Sequence, residues 1–175
     1  MTQNIILIGP MGAGKTSVGK QLARTLDLTF FDSDHEIEKR TGVTIPTIFD
    51  IEGEAGFRER EHSALMDLLQ MENVVLATGG GAVLRPDNRQ ALEKGGLVVY
   101  LHAPVDMLYK RTHRDRNRPL LQTKDPKAKI RELIESRDPL YRQTAALIVD
   151  TNGLTVRQVV KKILDHLKNK SQTTL

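Results

Sequence analysis

Two periodicities alternate along the chain. Short runs, apolar throughout or rich in β-branched residues, recur at Asn4–Ile8 (NIILI), Leu28–Phe31, Asn73–Ala77, Leu97–Leu101 (LVVYL) and Leu147–Val149. Apolar runs of this length, closed off by Gly, Pro or Asp, predict strands buried on both faces. Between them the apolar positions return at three- and four-residue intervals, the spacing of a helix with one buried face. Val18, Leu22, Ala23 and Leu26 share such a face over Lys15–Leu26. Thr44 is placed to cap a short helix with Pro46 in its first turn, and Gly53 to end it. A longer helix from about Glu54 to Gln70 turns Phe57, Ala64, Leu65, Leu68 and Leu69 inward. Further helices are expected over Pro86–Lys94, Val105–Arg111, Pro126–Ser136 and Val156–Leu167.

Strand–helix alternation of this kind predicts an α/β fold, a three-layer sandwich with a five-stranded parallel sheet covered by helices on both faces. Its connections are right-handed, and ligands gather beyond the carboxyl ends of the strands. No repeat or linker divides the sequence, so residues 1–175 are expected to form one domain.

Composition narrows this picture only at its edges. Hydrophobic residues at 39% and charged residues at 27% are ordinary for a globular protein. The absence of cysteine excludes disulfides, zinc thiolates and thiol catalysis. The formal charge of +4 suits nucleic acid or small anions and does not choose between them. The N-terminus lacks the charged region and apolar length of a signal peptide. No stretch approaches the ~18 apolar residues of a membrane span, so a soluble cytoplasmic protein is expected.

The first strand runs into Gly9-Pro-Met-Gly-Ala-Gly14-Lys15-Thr16, which fits G-x-x-x-x-G-K-[ST] without a gap. Glycines let backbone N–H groups curl around phosphate oxygens, and the helix N-terminus adds its positive end. Lys15 reaches the outer phosphates and the Thr16 hydroxyl ligates Mg²⁺. An acid about twenty residues after a glycine loop is also a dinucleotide-binding sign, and Asp32 stands there. Ser17 occupies the place where that fingerprint needs its last glycine, and Lys15-Thr16 would be left without a purpose.

Asp32 and Asp34 follow the second strand. A P-loop protein usually holds magnesium with an acid at the end of a neighbouring strand; the third strand offers none, so Asp32 is the expected metal-side carboxylate, acting through water. Asp34 would share its face if the strand continued and is free to receive a substrate hydroxyl. The plainer reading is that Ser33 or Asp34 merely caps a helix through Glu36, Ile37 and Lys39. Arg58, three residues before Glu61, is either a surface ion pair or a guanidinium fixed by Glu61 so that its free edge grips an anion. Gly79-Gly80-Gly81 is a flexible turn or a set of backbone donors open to an anion. Five basic residues from Lys110 to Arg118 form either a solvated run or a lid that brings arginine to phosphates. Nucleic acid binding is disfavoured by the lack of interleaved aromatics.

Taken together, GPMGAGKTS, FFDSD, FRERE, ATGGGAV, RPLL and SRDPLY resemble, in order and over nearly the whole chain, the shikimate kinases of the nucleoside-monophosphate-kinase-like P-loop group. The resemblance implies transfer of the ATP γ-phosphoryl group to the 3-hydroxyl of shikimate, with Mg²⁺, in aromatic amino-acid biosynthesis. It implies ATP contacts from Gly12, Ala13, Gly14, Lys15, Thr16, Ser17, Arg111 and Arg118, with Arg111 against the adenine. Metal-side residues are then Thr16 and Asp32, and catalytic residues Lys15, Asp34 and Arg118. Asp34, Arg58, Gly79, Gly80, Gly81 and Arg137 would hold shikimate, the two arginines on its carboxylate. Residues of about 33–62 would form a substrate-binding segment and about 112–124 a mobile lid. The only partners implied are these small molecules, without nucleic acid or membrane, and a monomer is expected. One departure is the loop Asp150-Thr-Asn-Gly-Leu-Thr155, which lacks the polar or basic residue often found near the adenine. Gluconate kinases and nucleoside monophosphate kinases share the loop and fold and remain alternatives, as does a polynucleotide-stimulated ATPase.

Overall fold

The computed structural model describes residues 3–115 and 118–172; Arg116, part of the basic run, lies outside the described residues. Five strands, β1 (Ile5–Ile8), β2 (Thr29–Asp32), β3 (Val74–Ala77), β4 (Leu97–His102) and β5 (Leu147–Asp150), form one sheet in the order β2-β3-β1-β4-β5. Every pairing is parallel, as the expected three-layer α/β fold requires. Successive side chains of a strand point to opposite faces, and β1 supplies both cores. Ile5 and Leu7 pack with α1 (Lys15–Leu26), α5 (Val105–Thr112) and α7 (Val156–Gln172). Ile6 and Ile8 pack with α3 (Ile45–Leu68), α4 (Pro86–Gly95) and α6 (Pro126–Thr144). A third cluster, Ile37, Ile48, Phe57 and Ala64, joins α2 (Ser33–Thr41) to α3. Among the described residues no helix is long and apolar enough to cross a membrane.

Gly53 breaks α3 where the sequence places a stop, with φ 72 and ψ −179, a conformation that side chains rarely adopt. Thr44 caps the helix by accepting from the Thr47 amide. Two elements differ from expectation. The helix predicted to end at Ser136 continues to Thr144, through Pro139. An interior proline costs about 3 kcal/mol. Tertiary contacts offset that cost: Tyr141 stacks on Tyr100 at 4.9 Å, and the Tyr100 hydroxyl donates to Asp138 Oδ1 at 2.7 Å. The second difference lies at the two acids. β2 stops at Asp32 and α2 begins at once, so the cap is Asp32 rather than Ser33 or Asp34.

Candidate active site

The carboxyl ends of β1, β2 and β3 stand side by side, because Ile5 pairs with Val75 and Asp32 with Ala77 in parallel register. The glycine loop, the two acids and the triple glycine therefore converge. Gly14 takes the left-handed conformation (φ 96) and α1 opens at Lys15. The Lys15 ammonium is buried and donates to the Gly9 and Pro10 carbonyls at 2.6 and 2.8 Å. Burial, helped by the nearby Arg118 cation, pushes its pKa down to about 8. The Thr16 hydroxyl donates to Asp32 Oδ2 at 2.9 Å, while Asp32 Oδ1 accepts from the Asp34 and His35 amides at 3.0 and 3.3 Å. Asp32 thus serves the helix with one oxygen and faces the loop with the other, a double role that residue spacing does not reveal.

Because the strand ends at Asp32, Asp34 sits in the first turn of α2 and turns inward. Its Oδ1 is buried without a hydrogen-bond partner, and so is Glu61 Oε2 on α3. Both oxygens lie over the Cα of Gly79, where a Cβ would come within 2.7 Å of Asp34 Oδ1 and 2.8 Å of Glu61 Oε2. Burial, with the Glu61 and Asp32 carboxylates adding repulsion, pushes Asp34 up to about 7 against the opposing pull of Arg118 and Lys15. Burial also raises Glu61, which Arg58 partly restores. Gly79→Ala is accordingly expected to displace the Asp34 carboxylate and lower kcat by about 10²-fold, the usual consequence of ~1 Å misplacement; steady-state kinetics on the folded variant checks this.

Arg58 is no surface pair. Its guanidinium donates to Glu61 Oε1 at 2.9 Å and to Glu54 Oε1 at 3.1 Å, with 13% of the side chain exposed. It lies so close to Gly81 that a Cβ there would stand 2.4 Å from both terminal nitrogens. Arg137 is buried on α6, with Nη1 3.5 Å from the Cβ position of Gly80. The triple glycine is less open than its sequence suggests, since the Gly79 amide already donates to Ser33 Oγ at 3.1 Å. Its value lies in lacking a Cβ where Asp34, Glu61 and Arg58 approach. Arg118 Nε donates to Asp115 Oδ2 at 3.0 Å. Arg111 Nη1, from α5, donates to the Gly12 carbonyl at 2.9 Å and so braces the glycine loop.

These residues line two adjoining cavities. The larger, about 620 Å³, runs from Gly12–Ser17 past Arg111 to Thr151 and Leu154 of the loop after β5, which contributes walls despite lacking a basic residue, and to Val156 at the start of α7. The smaller, about 60 Å³, lies among Phe49, Phe57, Arg58, Glu61, Leu120 and Arg137. Asp34, Gly79, Gly80 and Arg118 belong to both. Sequence reasoning missed Phe49 and Tyr141 as parts of this region and read Ser33 only as a possible helix cap; Ser33 and Tyr141 lay within the FFDSD and SRDPLY strings, whereas nothing local marks Phe49. Among the described residues no cluster of three or more His, Asp or Glu could hold a metal alone.

A phosphate-type loop opening into a cavity beside a second, arginine-lined cavity, with a carboxylate at their junction, is the layout of a kinase for a small anion. The sequence profile of the family described as shikimate kinase matches residues 11–168. The chain belongs to the shikimate kinase family. A shikimate kinase from Burkholderia pseudomallei is 58% identical over 165 residues, 94% of this chain and 90% of that protein. The structure of shikimate kinase from Acinetobacter baumannii in complex with shikimate is 50% identical, with TM-score 0.95, covering 97% of this chain and 95% of that one. A gluconokinase from Sinorhizobium meliloti is 16% identical, with TM-score 0.60 over 98% of this chain and 95% of its own, and shares the fold alone. As a shikimate kinase family member the chain is an ATP-using phosphotransferase of aromatic amino-acid biosynthesis.

Proposed function

We propose that the chain forms a single kinase domain that transfers the γ-phosphoryl group of ATP to the 3-hydroxyl of shikimate, yielding shikimate 3-phosphate and ADP. The observation that carries this reading is the place of Asp34, at the junction of a phosphate-loop cavity and a cavity walled by Arg58 and Arg137. Nucleotide in the larger cavity would lay its phosphates on the loop amides from Gly12 to Ser17, with Lys15 on the outer phosphates and the adenine toward Arg111 and the 150–155 loop. Shikimate in the smaller cavity would give its carboxylate to Arg58, Arg137 and the glycine amides, and its hydroxyl to Asp34. Residues 33–62 supply much of this cavity, and the segment of about 112–124, described at 112–115 and 118–124, would act as a lid that closes Arg118 over the phosphates and excludes water.

Thr16 Oγ1 and Asp32 Oδ2, 2.9 Å apart, are hard oxygen donors of the kind magnesium takes alongside phosphates and water. Bound there, Mg²⁺ would neutralise charge on the β- and γ-oxygens. As the new O–P bond forms, the hydroxyl proton passes to Asp34 and the bond from the γ-phosphorus to the bridging oxygen breaks, releasing ADP. A carboxylate with a pKa near 7 is matched to that proton. Charge on the equatorial oxygens falls among Lys15 and Arg118.

ADP release from MgATP, measured with shikimate beside gluconate, nucleoside monophosphates, polynucleotide and no acceptor, tests the assignment. Turnover with shikimate alone is expected; turnover with another acceptor and not with shikimate overturns it. Arg58→Lys is expected to raise the KM for shikimate roughly 10- to 150-fold with kcat little changed. A lone ammonium cannot reproduce the bidentate fork, and a charge-assisted hydrogen bond contributes ~1.5–3 kcal/mol. An unchanged KM in the initial-rate assay would remove Arg58 from the clamp.

A further inference from the structure

Arg137 and Tyr141 stand one turn apart on α6, so their side chains leave the same face of the helix. Both are buried, with 5% and 1% exposure. The Tyr141 hydroxyl donates to the Gly80 carbonyl at 2.5 Å, across 61 residues of sequence. The Arg137 guanidinium covers the same glycine, its Nη1 3.5 Å from the Cβ position. The peptides here are trans, and a trans peptide points its carbonyl and the following N–H in opposite directions. Fixing the Gly80 oxygen at Tyr141 therefore fixes the direction of the Gly81 N–H as well. The Gly79 amide is held separately by Ser33 Oγ, and the Gly79 and Gly81 carbonyls accept from the Ala82 and Leu84 amides within the turn, so Ser33 and Tyr141 are side chains that tie the loop to distant elements. The proton transfer and charge neutralisation described above make no use of this hydroxyl.

We propose that Tyr141 is a positioning residue for the acceptor: its hydroxyl sets the Gly80–Gly81 peptide beneath the Arg137 guanidinium, and so sets the geometry of the clamp that takes the acceptor's carboxylate. The proposal rests on the acceptor reading given above. Burial raises Tyr141 to about 12, which keeps the phenol a donor at any working pH. Its ring is held independently by the stack on Tyr100, with centroids 4.9 Å apart and planes 31° apart. Tyr141→Phe therefore removes the hydroxyl and leaves the packing.

Initial rates with shikimate and with its methyl ester, which keeps the hydroxyls and loses the charge, separate a clamp effect from a structural one. Tyr141→Phe is expected to raise the KM for shikimate about tenfold, the scale of one hydrogen bond to a charged site. The kcat and the KM for ATP stay within about twofold, and the penalty on the ester falls to about twofold or less. Tyr100→Phe, whose lost hydroxyl faces Asp138 instead, is expected to keep the wild-type KM. The rise in Tm on adding shikimate should shrink in Tyr141→Phe in parallel, which reads binding even in a less stable variant. A wild-type KM in Tyr141→Phe, or an equal penalty on acid and ester, overturns the positioning role. Failure of the wild-type protein itself to use shikimate overturns the acceptor reading and the proposal with it.

Discussion

Replacing Lys15 with methionine is expected to lower kcat by about 10³-fold while leaving shikimate affinity within about twofold. Phosphoryl transfer gives a protein little covalent chemistry to perform, so catalysis rests on positioning and on cations around the equatorial oxygens. Removing one preorganised charge or donor from such a site typically costs 10²–10³-fold. Lys15 is placed to be the most costly to lose, since its ammonium is buried at the mouth of the loop and bonded to the carbonyls of Gly9 and Pro10. Methionine keeps the length of the side chain but can neither neutralise a phosphate nor bridge those carbonyls. The walls of the smaller cavity do not include Lys15, which is why acceptor binding is expected to survive. Calorimetric titration with shikimate and an ADP-release assay on the same preparation separate the two effects. Near-normal turnover would sink the assignment of the glycine loop to ATP.

The sheet and the loop were legible because each depends on neighbours in sequence. Apolar runs such as NIILI and LVVYL mark fully buried strands, and GPMGAGKT places its lysine and threonine through local backbone geometry alone. The site's second half depends on contacts between distant elements. The spacing of Asp32 and Asp34 shows that two acids are close, but not that the strand ends between them and sends them to different tasks. FRERE gives Arg58 and Glu61 a shared helix face, yet only the packing of α3 against the triple glycine buries that face. The same limit applies to α6, where Pro139 reads as a stop. Tertiary contacts to Tyr100 and Gly80 carry the helix through it. Gly79 was legible as an unusual residue but for another reason than the structure gives, because close approach of two carboxylates cannot be distinguished from anion binding in a string of glycines.

Those two carboxylates lead to an expected trade of activity against stability at Asp34. Asp34→Asn removes the proton acceptor, and a positioned base typically contributes 10²–10⁴-fold, so kcat is expected to fall by that order. The same substitution is expected to stabilise the ligand-free protein. Asp34 has its folded pKa raised to about 7 from 3.8, so the folded state holds its proton over a window in which the unfolded chain has released it. Stability falls with rising pH wherever the folded state binds more protons. The ionisation of Asp34 therefore costs nothing below about pH 4, costs progressively more up to pH 7, and costs its full amount above. One pKa unit is worth 1.36 kcal/mol, so the full cost is on the order of 4 kcal/mol. Asparagine does not ionise. Thermal melts in chelator without nucleotide should show Asp34→Asn above wild type by roughly 8–16 °C at pH 8. The gap should narrow through pH 5 and close near pH 4. In wild type, kcat/KM should fall as pH drops through 7, because protonated Asp34 cannot take the hydroxyl proton. A stability gap independent of pH would mean that Asp34 is not held near neutrality by burial and by Glu61. Unchanged turnover in Asp34→Asn would mean that the carboxylate at the junction of the two cavities is no base.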